Sequence, residues 1–105
     1  MTNYLLIFHG GGAPDGEEAQ AEVMTAWTRW YADMGAAVVD GGNPISQAVT
    51  VDADGSGHAG GGANPATGYA IIRADSMDEA VAHARKSPHL LSGGSVEVAE
   101  TFQIM

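Results

Sequence analysis

The last third of the chain, residues 68–104, has the pattern of a strand, a capped helix and a second strand. A short apolar run at 69–74 predicts the first strand. Ser76 and Glu79 have the spacing of a capping box at the start of a helix. Residues 95–104 alternate between apolar and polar side chains, which predicts a strand with one buried face. A unit of this kind restricts a short chain to small α+β folds.

The first half of the chain repeats this order. Residues 4–8 are an apolar run typical of a buried strand, and residues 17–34 predict a long helix. Asp15 and Glu18 resemble a second capping box at the start of that helix. Large apolar side chains recur on one helix face, namely Val23, Trp27, Trp30 and Met34. Another short apolar run predicts a second strand at 36–40.

Between the two halves, residues 47–52 predict an additional strand, and the glycine-rich residues 52–68 predict a mobile loop. The whole pattern predicts one α+β domain over residues 1–105, a ferredoxin-like βαββαβ sandwich. Its helices would cover one face of an antiparallel sheet. A chain this short cannot cover the other face itself, so we expect a homodimer.

Composition excludes several classes of protein. The formal net charge is −9, from 13 acidic and four basic side chains, so we expect no nucleic-acid or membrane partner. The absence of cysteine excludes thiolate zinc sites and disulfides. The four histidines lack the spacing of a metal site, so we expect no metal and no cofactor. The N-terminus has no signal-peptide pattern, and a cytoplasmic location is the expectation.

Several motifs resemble those of the YCII-related proteins, including the DGPF-type proteins, over nearly the whole chain. The matching segments are 4–7, the helix ending at Gly35, 41–44, 68–72, 76–80, 87–88 and 94–98. The resemblance implies a dimeric α/β barrel of ferredoxin-like subunits. The chain has Ala99 and Glu100 where the family has Arg-Pro, and residues 54–68 replace the Asp-Gly-Pro-Phe signature. Met24 or Trp27 stands near the place of a histidine found on the first helix of better-studied members, so the resemblance implies the fold and no inherited catalytic residue.

Two histidines are candidate catalytic residues. His9 ends the first strand beside a glycine-rich turn, and His89 precedes the last strand. If both lie at the mouth of a pocket, they can act as a general acid and base near neutral pH. The alternative is that both are surface or capping residues.

Four further side chains are candidate ligand-binding residues. Trp27 and Trp30 share a helix face, and the space between that helix and the sheet could hold a small ligand, although such clusters usually form core. Arg73 and Glu97 are predicted on the strand faces away from the core. They could bind a ligand or pair with each other.

Two shorter motifs carry less weight. Residues 9–12 resemble the oxyanion segment of esterases, but no serine has the required context, which favours a flexible turn. Residues 52–57 resemble the start of a calcium loop, but Ala63 occupies the twelfth position, which favours an acidic hairpin loop. We therefore predict a small-molecule-binding protein or minor enzyme with a pocket between the first helix and the sheet. The alternative is a non-catalytic dimeric interaction or regulatory module.

Overall fold

Four antiparallel strands form the main sheet of the protein. The computed structural model describes residues 1–104. The elements are β1 (Thr2–His9), α1 (Glu17–Met34), β2 (Val38–Asp40), β3 (Val49–Val51), β4 (Gly57–Ala59), β5 (Ala66–Ala74), α2 (Met77–Ala84) and β6 (Ser95–Glu100). The strand order in the main sheet is β2-β5-β1-β6. Short 3-10 turns cover Gly35–Ala37 and Pro88–Ser92. This order is the ferredoxin-like α+β fold predicted from the sequence, with β3 and β4 inserted as a separate hairpin.

The core lies between the sheet and the two helices. Strand periodicity sends alternate residues to this side, among them Tyr4, Leu6 and Ile72, which are almost fully buried. From α1, Trp30 and Met34 complete the core. The Trp30 indole donates a hydrogen bond to the His83 carbonyl oxygen at 3.0 Å, which joins the first helix to the second. Trp30 is therefore both a packing residue and a tie between the helices.

The two helices begin in different ways. In α2, the Ser76 hydroxyl accepts a hydrogen bond from the Glu79 N–H at 3.1 Å, which confirms the predicted cap. The predicted capping box at Asp15 and Glu18 is wrong, because Gly16 is the residue before α1 and no side chain caps that end. A positive φ of 85° at Gly16 provides the turn into the helix instead.

The second sheet face carries apolar side chains that no helix covers. Leu5 and Ile7 of β1 and Tyr69 and Ile71 of β5 alternate with core residues and are half-buried. Arg73, further along β5, is exposed. We call this surface the open face.

The predicted loop at 52–68 contains more regular structure than expected. Strand β4 occupies part of it, and β5 begins at Ala66 rather than Tyr69. Strands β3 and β4 pair only with each other in the described part of the chain, and all six of their residues are exposed. We call residues 45–65 the hairpin arm.

The last strand is shorter than predicted. It ends at Glu100 rather than residue 104, and Glu100 pairs with Tyr4 of β1. Thr101 adds a further tie to β1, with its hydroxyl donating to the Asn3 carbonyl oxygen at 2.6 Å. Beyond it, Phe102 is 83 % exposed.

Candidate functional site

A cavity of about 380 Å³ lies between α1 and the sheet, where the sequence predicts a pocket. Its floor is formed by the end of β1 and the start of β5, and one wall by the connection after β2. The lining residues are Phe8, Met24, Trp27, Tyr31, Gly41, Gly42, Asn43, Pro44, Thr67, Gly68, Tyr69 and His89. A space of this volume is within the range of small-ligand sites.

Aromatic side chains dominate the wall of the cavity. The rings of Phe8 and Trp27 meet edge to face with centroids 5.3 Å apart, and Tyr31 stacks on Trp27 at 6.0 Å. The Tyr31 hydroxyl donates a hydrogen bond to the Gly41 carbonyl oxygen at 2.8 Å, which fixes the ring. Burial, followed by the nearby Asp40 carboxylate, raises the Tyr31 pKa, so this phenol stays neutral near physiological pH. The wall is therefore flat, apolar and held in place.

His89 is the histidine that reaches this cavity. It lies in the 3-10 turn Pro88–Ser92, whose start is capped by the Ser87 hydroxyl. Its Nε2 lies 2.8 Å from the His9 carbonyl oxygen. A carbonyl oxygen can only accept, so Nε2 carries the proton, and in the neutral ring Nδ1 is the acceptor. The Phe8 ring lies 5.3 Å away, centroid to centroid.

Two glycines make room for this imidazole. A Cβ on Gly11 would lie 2.7 Å from His89 Cε1. A Cβ on Gly94 would lie 2.7 Å from the His9 carbonyl oxygen and closer still to His89 Nε2. The glycine run after His9, which resembles an oxyanion segment in sequence, therefore includes a residue that gives His89 space.

His9 occupies a different environment from His89. At the end of β1, its Nε2 lies 2.9 Å from a Glu97 carboxylate oxygen and its Nδ1 lies 3.0 Å from the Asn64 carbonyl oxygen. The hydrogen bond to Glu97 raises the His9 pKa, and partial desolvation opposes it. The two histidines are joined through the backbone carbonyl of His9, while the His9 ring is engaged by Glu97 and Asn64.

The structure distributes the six predicted site residues over four places. Trp27 and His89 line the cavity. Trp30 is 4 % exposed and belongs to the core. His9 and Glu97 form an ion pair, so the Glu97 carboxylate is paired with His9 rather than with Arg73, which lies opposite Asn3 near the other end of β1. Ligand contacts by Trp30, Arg73 and Glu97 stay predictions.

Sequence reasoning missed several cavity residues. Phe8 reaches the cavity because β1 brings it under α1, and the start of β5 at residues 67–69 borders the same space, a placement that depends on strand register. Residues 41–44 entered the sequence analysis only as a motif that resembles the YCII-related proteins. In the structure they form one wall of the cavity. Tyr31 follows Trp30 in the helix and could have been assigned from its position beside Trp27.

The acidic turn at residues 52–56 joins β3 to β4, as the hairpin interpretation predicted. The Asp54 carboxylate accepts hydrogen bonds from the Ser56 N–H and hydroxyl at 2.9 and 2.7 Å, and these lower the Asp54 pKa. His58 pairs with Asp52. Within residues 1–104, no three His, Cys, Asp or Glu side chains cluster as a metal site would require. Neither helix in that range is long and apolar enough to span a membrane.

Comparison with known proteins identifies a structural neighbour. The chain shares its fold with a dehydrochlorinase. This protein is the 5-chloro-2-hydroxyhydroquinone dehydrochlorinase TftG from Burkholderia phenoliruptrix AC1100, solved in complex with 2,5-dihydroxybenzoquinone. The TM-score is 0.53 and the sequence identity 18 %, with 94 % of this chain and 93 % of TftG covered. No protein-family model and no curated protein sequence matches the chain. The neighbour confirms the ferredoxin-like fold.

Proposed function

We propose that the protein binds a small, uncharged, planar molecule in the aromatic cavity and that His89 accepts a proton from it. The observation that carries the proposal is the position of His89 beside the aromatic wall of the cavity. Its Nε2–H is engaged by the His9 carbonyl oxygen, which leaves Nδ1 as the basic nitrogen. A general base needs such a nitrogen within hydrogen-bond reach of the bound molecule.

The lining residues favour an uncharged ring over an anion. Among residues 1–104, those that line the cavity include no Lys, Arg, Asp or Glu. A carboxylate or phosphate would therefore lose its water without gaining a counter-charge, which is costly. Trp27 and Tyr31 offer aromatic faces for stacking. A hydroxyl on the ligand ring could donate to His89 Nδ1, and an acidic hydroxyl could lose its proton there.

The structural neighbour supports this class of ligand. TftG acts on a hydroxylated six-membered ring and was solved with a dihydroxybenzoquinone. The similarity at 18 % identity is one of fold, so the proposal for this chain depends on its own cavity. A hydroxylated aromatic or quinone ring is the first class of ligand to test.

A thermal-shift experiment with hydroquinone and other neutral phenols tests the proposal. We expect at least one to raise the Tm, because a ligand at 100 times its Kd adds about 2.7 kcal/mol to stability. The variant His89→Gln should abolish the shift while changing the free energy of unfolding by about 1 kcal/mol or less. His83→Gln, on α2 and outside the cavity lining, is the matched control and should keep the shift. A ligand response that survives His89→Gln would contradict the role of His89.

We also propose that two copies of the chain pack through the open face. Leu5, Ile7, Tyr69 and Ile71 form an apolar row there, and an uncovered sheet face of this kind favours association. Light scattering at micromolar concentration should give a dimeric mass. Ile71→Glu should give a monomer, whereas Val51→Glu on the hairpin arm should leave the mass unchanged.

A further inference from the structure

The two ring nitrogens of His9 both face hydrogen-bond acceptors. Nε2 lies 2.9 Å from the Glu97 carboxylate, and Nδ1 lies 3.0 Å from the Asn64 carbonyl oxygen. A neutral imidazole has one N–H and can donate to only one of them, whereas an imidazolium donates to both. The arrangement therefore requires the charged ring.

These two contacts connect different parts of the molecule. Glu97 belongs to β6 in the main sheet. Asn64 belongs to the segment of the hairpin arm between β4 and β5, which we call the second stem. The segment that leads into β3, the first stem, is held at its base by the Ile45 N–H, which donates to the Thr67 carbonyl oxygen at 2.9 Å. The second stem is held by the His9 ring, so its attachment depends on a side chain whose charge changes near neutral pH.

We propose that His9 is a charge-dependent clasp that holds the second stem of the hairpin arm against the sheet and releases it when the imidazolium loses its proton. The Glu97 carboxylate is the stronger acceptor, so the remaining N–H stays with it after deprotonation. The Nδ1 lone pair then faces the Asn64 carbonyl oxygen, and two acceptors repel each other. The stem loses its tie at that point.

The surroundings of His9 fix the direction of the pH dependence. The titratable groups in contact with His9 are Glu97 from β6, which bonds its ring, and His89 from the turn before β6, which bonds its backbone carbonyl oxygen. Glu97 holds the His9 pKa above the ordinary value of about 6.5. The clasp is therefore closed below that ordinary value and opens as the pH rises through the higher value of the folded protein.

The clasp is also connected to the cavity through the chain. The second stem continues directly into Thr67, Gly68 and Tyr69, which line the cavity. The Thr67 hydroxyl lies within hydrogen-bonding distance of the carbonyl oxygens of Phe8 and Gly10, at 3.2 and 3.1 Å. Release of the stem would loosen this wall and weaken ligand binding at high pH, a consequence that rests on the proposed function. The clasp itself needs no ligand and is tested without one.

Hydrogen exchange of single backbone amides between pH 5.5 and 8.5 tests the clasp. The reporter is the Ile45 N–H, whose acceptor Thr67 follows the second stem. Its protection factor, corrected for the intrinsic exchange rate, should fall by up to about tenfold across this range. The Asp52 N–H at the tip of the arm, which donates to Ser56 at 2.7 Å, is the internal control and should keep its protection.

Three variants separate the charge of His9 from a purely structural role. Glu97→Gln should keep the Ile45 amide protected at all pH values, because an amide can donate to neutral Nε2 and leave Nδ1–H for Asn64. His9→Ala should leave that amide weakly protected at every pH. His58→Gln, which removes the His58–Asp52 pair of the hairpin arm, should behave as the wild type. A pH-independent wild type, or a Glu97→Gln variant that loses protection as the wild type does, would overturn the proposal.

Discussion

The cavity and the hairpin arm are both rich in glycine, but for different physical reasons. Beside the cavity, a Cβ on Gly42 would lie 2.7 Å from the Tyr69 carbonyl carbon and closer still to its oxygen. In the arm, a Cβ on Gly55 or Gly60 would meet no heavy atom within 4 Å, although both residues have positive φ. Glycine at the cavity permits close approach of another group. At Gly55 and Gly60 it only permits a turn of the backbone.

The two regions also differ in how their apolar side chains are used. Phe8 of the cavity floor is 5 % exposed, and its ring lies within about 6 Å of three other aromatic rings. In the arm, Val49 and Val51 are 59 % and 68 % exposed. The cavity is therefore a rigid extension of the core, while an isolated two-stranded hairpin such as the arm is marginally stable in water.

The largest effect that separates the two regions is expected at Gly42. Gly42→Ala places a Cβ against the Tyr69 backbone, which cannot move aside, and adds strain at a φ of 70°. We expect a loss of about 3 kcal/mol in the free energy of unfolding, from overpacking and strain together. Gly55→Ala is the matched control, because it has φ of 91° and open space around the new Cβ. It should cost about 1 kcal/mol, from backbone strain alone. Equal losses in chemical denaturation would show that contact is not the reason for Gly42.

A smaller effect is expected at Gly94, which gives space to His89. Gly94→Ala should push the imidazole out of its place between Gly11 and Gly94, with a loss of about 2 kcal/mol from overpacking. The Nε2–H bond to the His9 carbonyl oxygen should be lost as well, and imidazole ¹⁵N shifts would report the change of tautomer. Gly12→Ala has no neighbouring atom within 4 Å and should be nearly neutral. An unchanged His89 spectrum in Gly94→Ala would mean that the ring does not depend on this glycine.

The fold was predictable from the sequence because its signals are local. The periodicity of Val23, Trp27, Trp30 and Met34 marks the buried face of α1, and its predicted bounds of 17–34 are those observed. Local patterns could not place the end of β6, since that depends on how β6 pairs with its partner strand β1. They also could not show that β3 would leave the main sheet to pair with β4 alone.

The candidate site was predictable only in part. Trp27 and His89 were assigned to a pocket between helix and sheet, and both line the cavity. Trp30 is also a tryptophan on this face of α1, but it lies three residues further along the helix and is buried against α2. The pairing of Glu97 with His9 depends on the register of β6 against β1, in which Ile7 stands opposite Glu97. The register of the strands and the direction in which each helix side chain points are set by the assembled fold, so a single sequence does not predict them.

The smallest expected effect concerns the arm, and it tests whether the arm is packed against anything in solution. Val51→Thr replaces an exposed methyl group with a hydroxyl in contact with water, so the free energy of unfolding should change by less than about 0.5 kcal/mol. Val98→Thr is the matched change in β6, where the side chain packs against the core. There the hydroxyl loses water without a partner, and we expect a cost of about 1 to 3 kcal/mol. Chemical denaturation of both variants gives the comparison directly. If Val51→Thr lowers the free energy of unfolding as much as Val98→Thr does, the arm is buried in solution. The second copy of the proposed dimer would then be the first candidate to cover it.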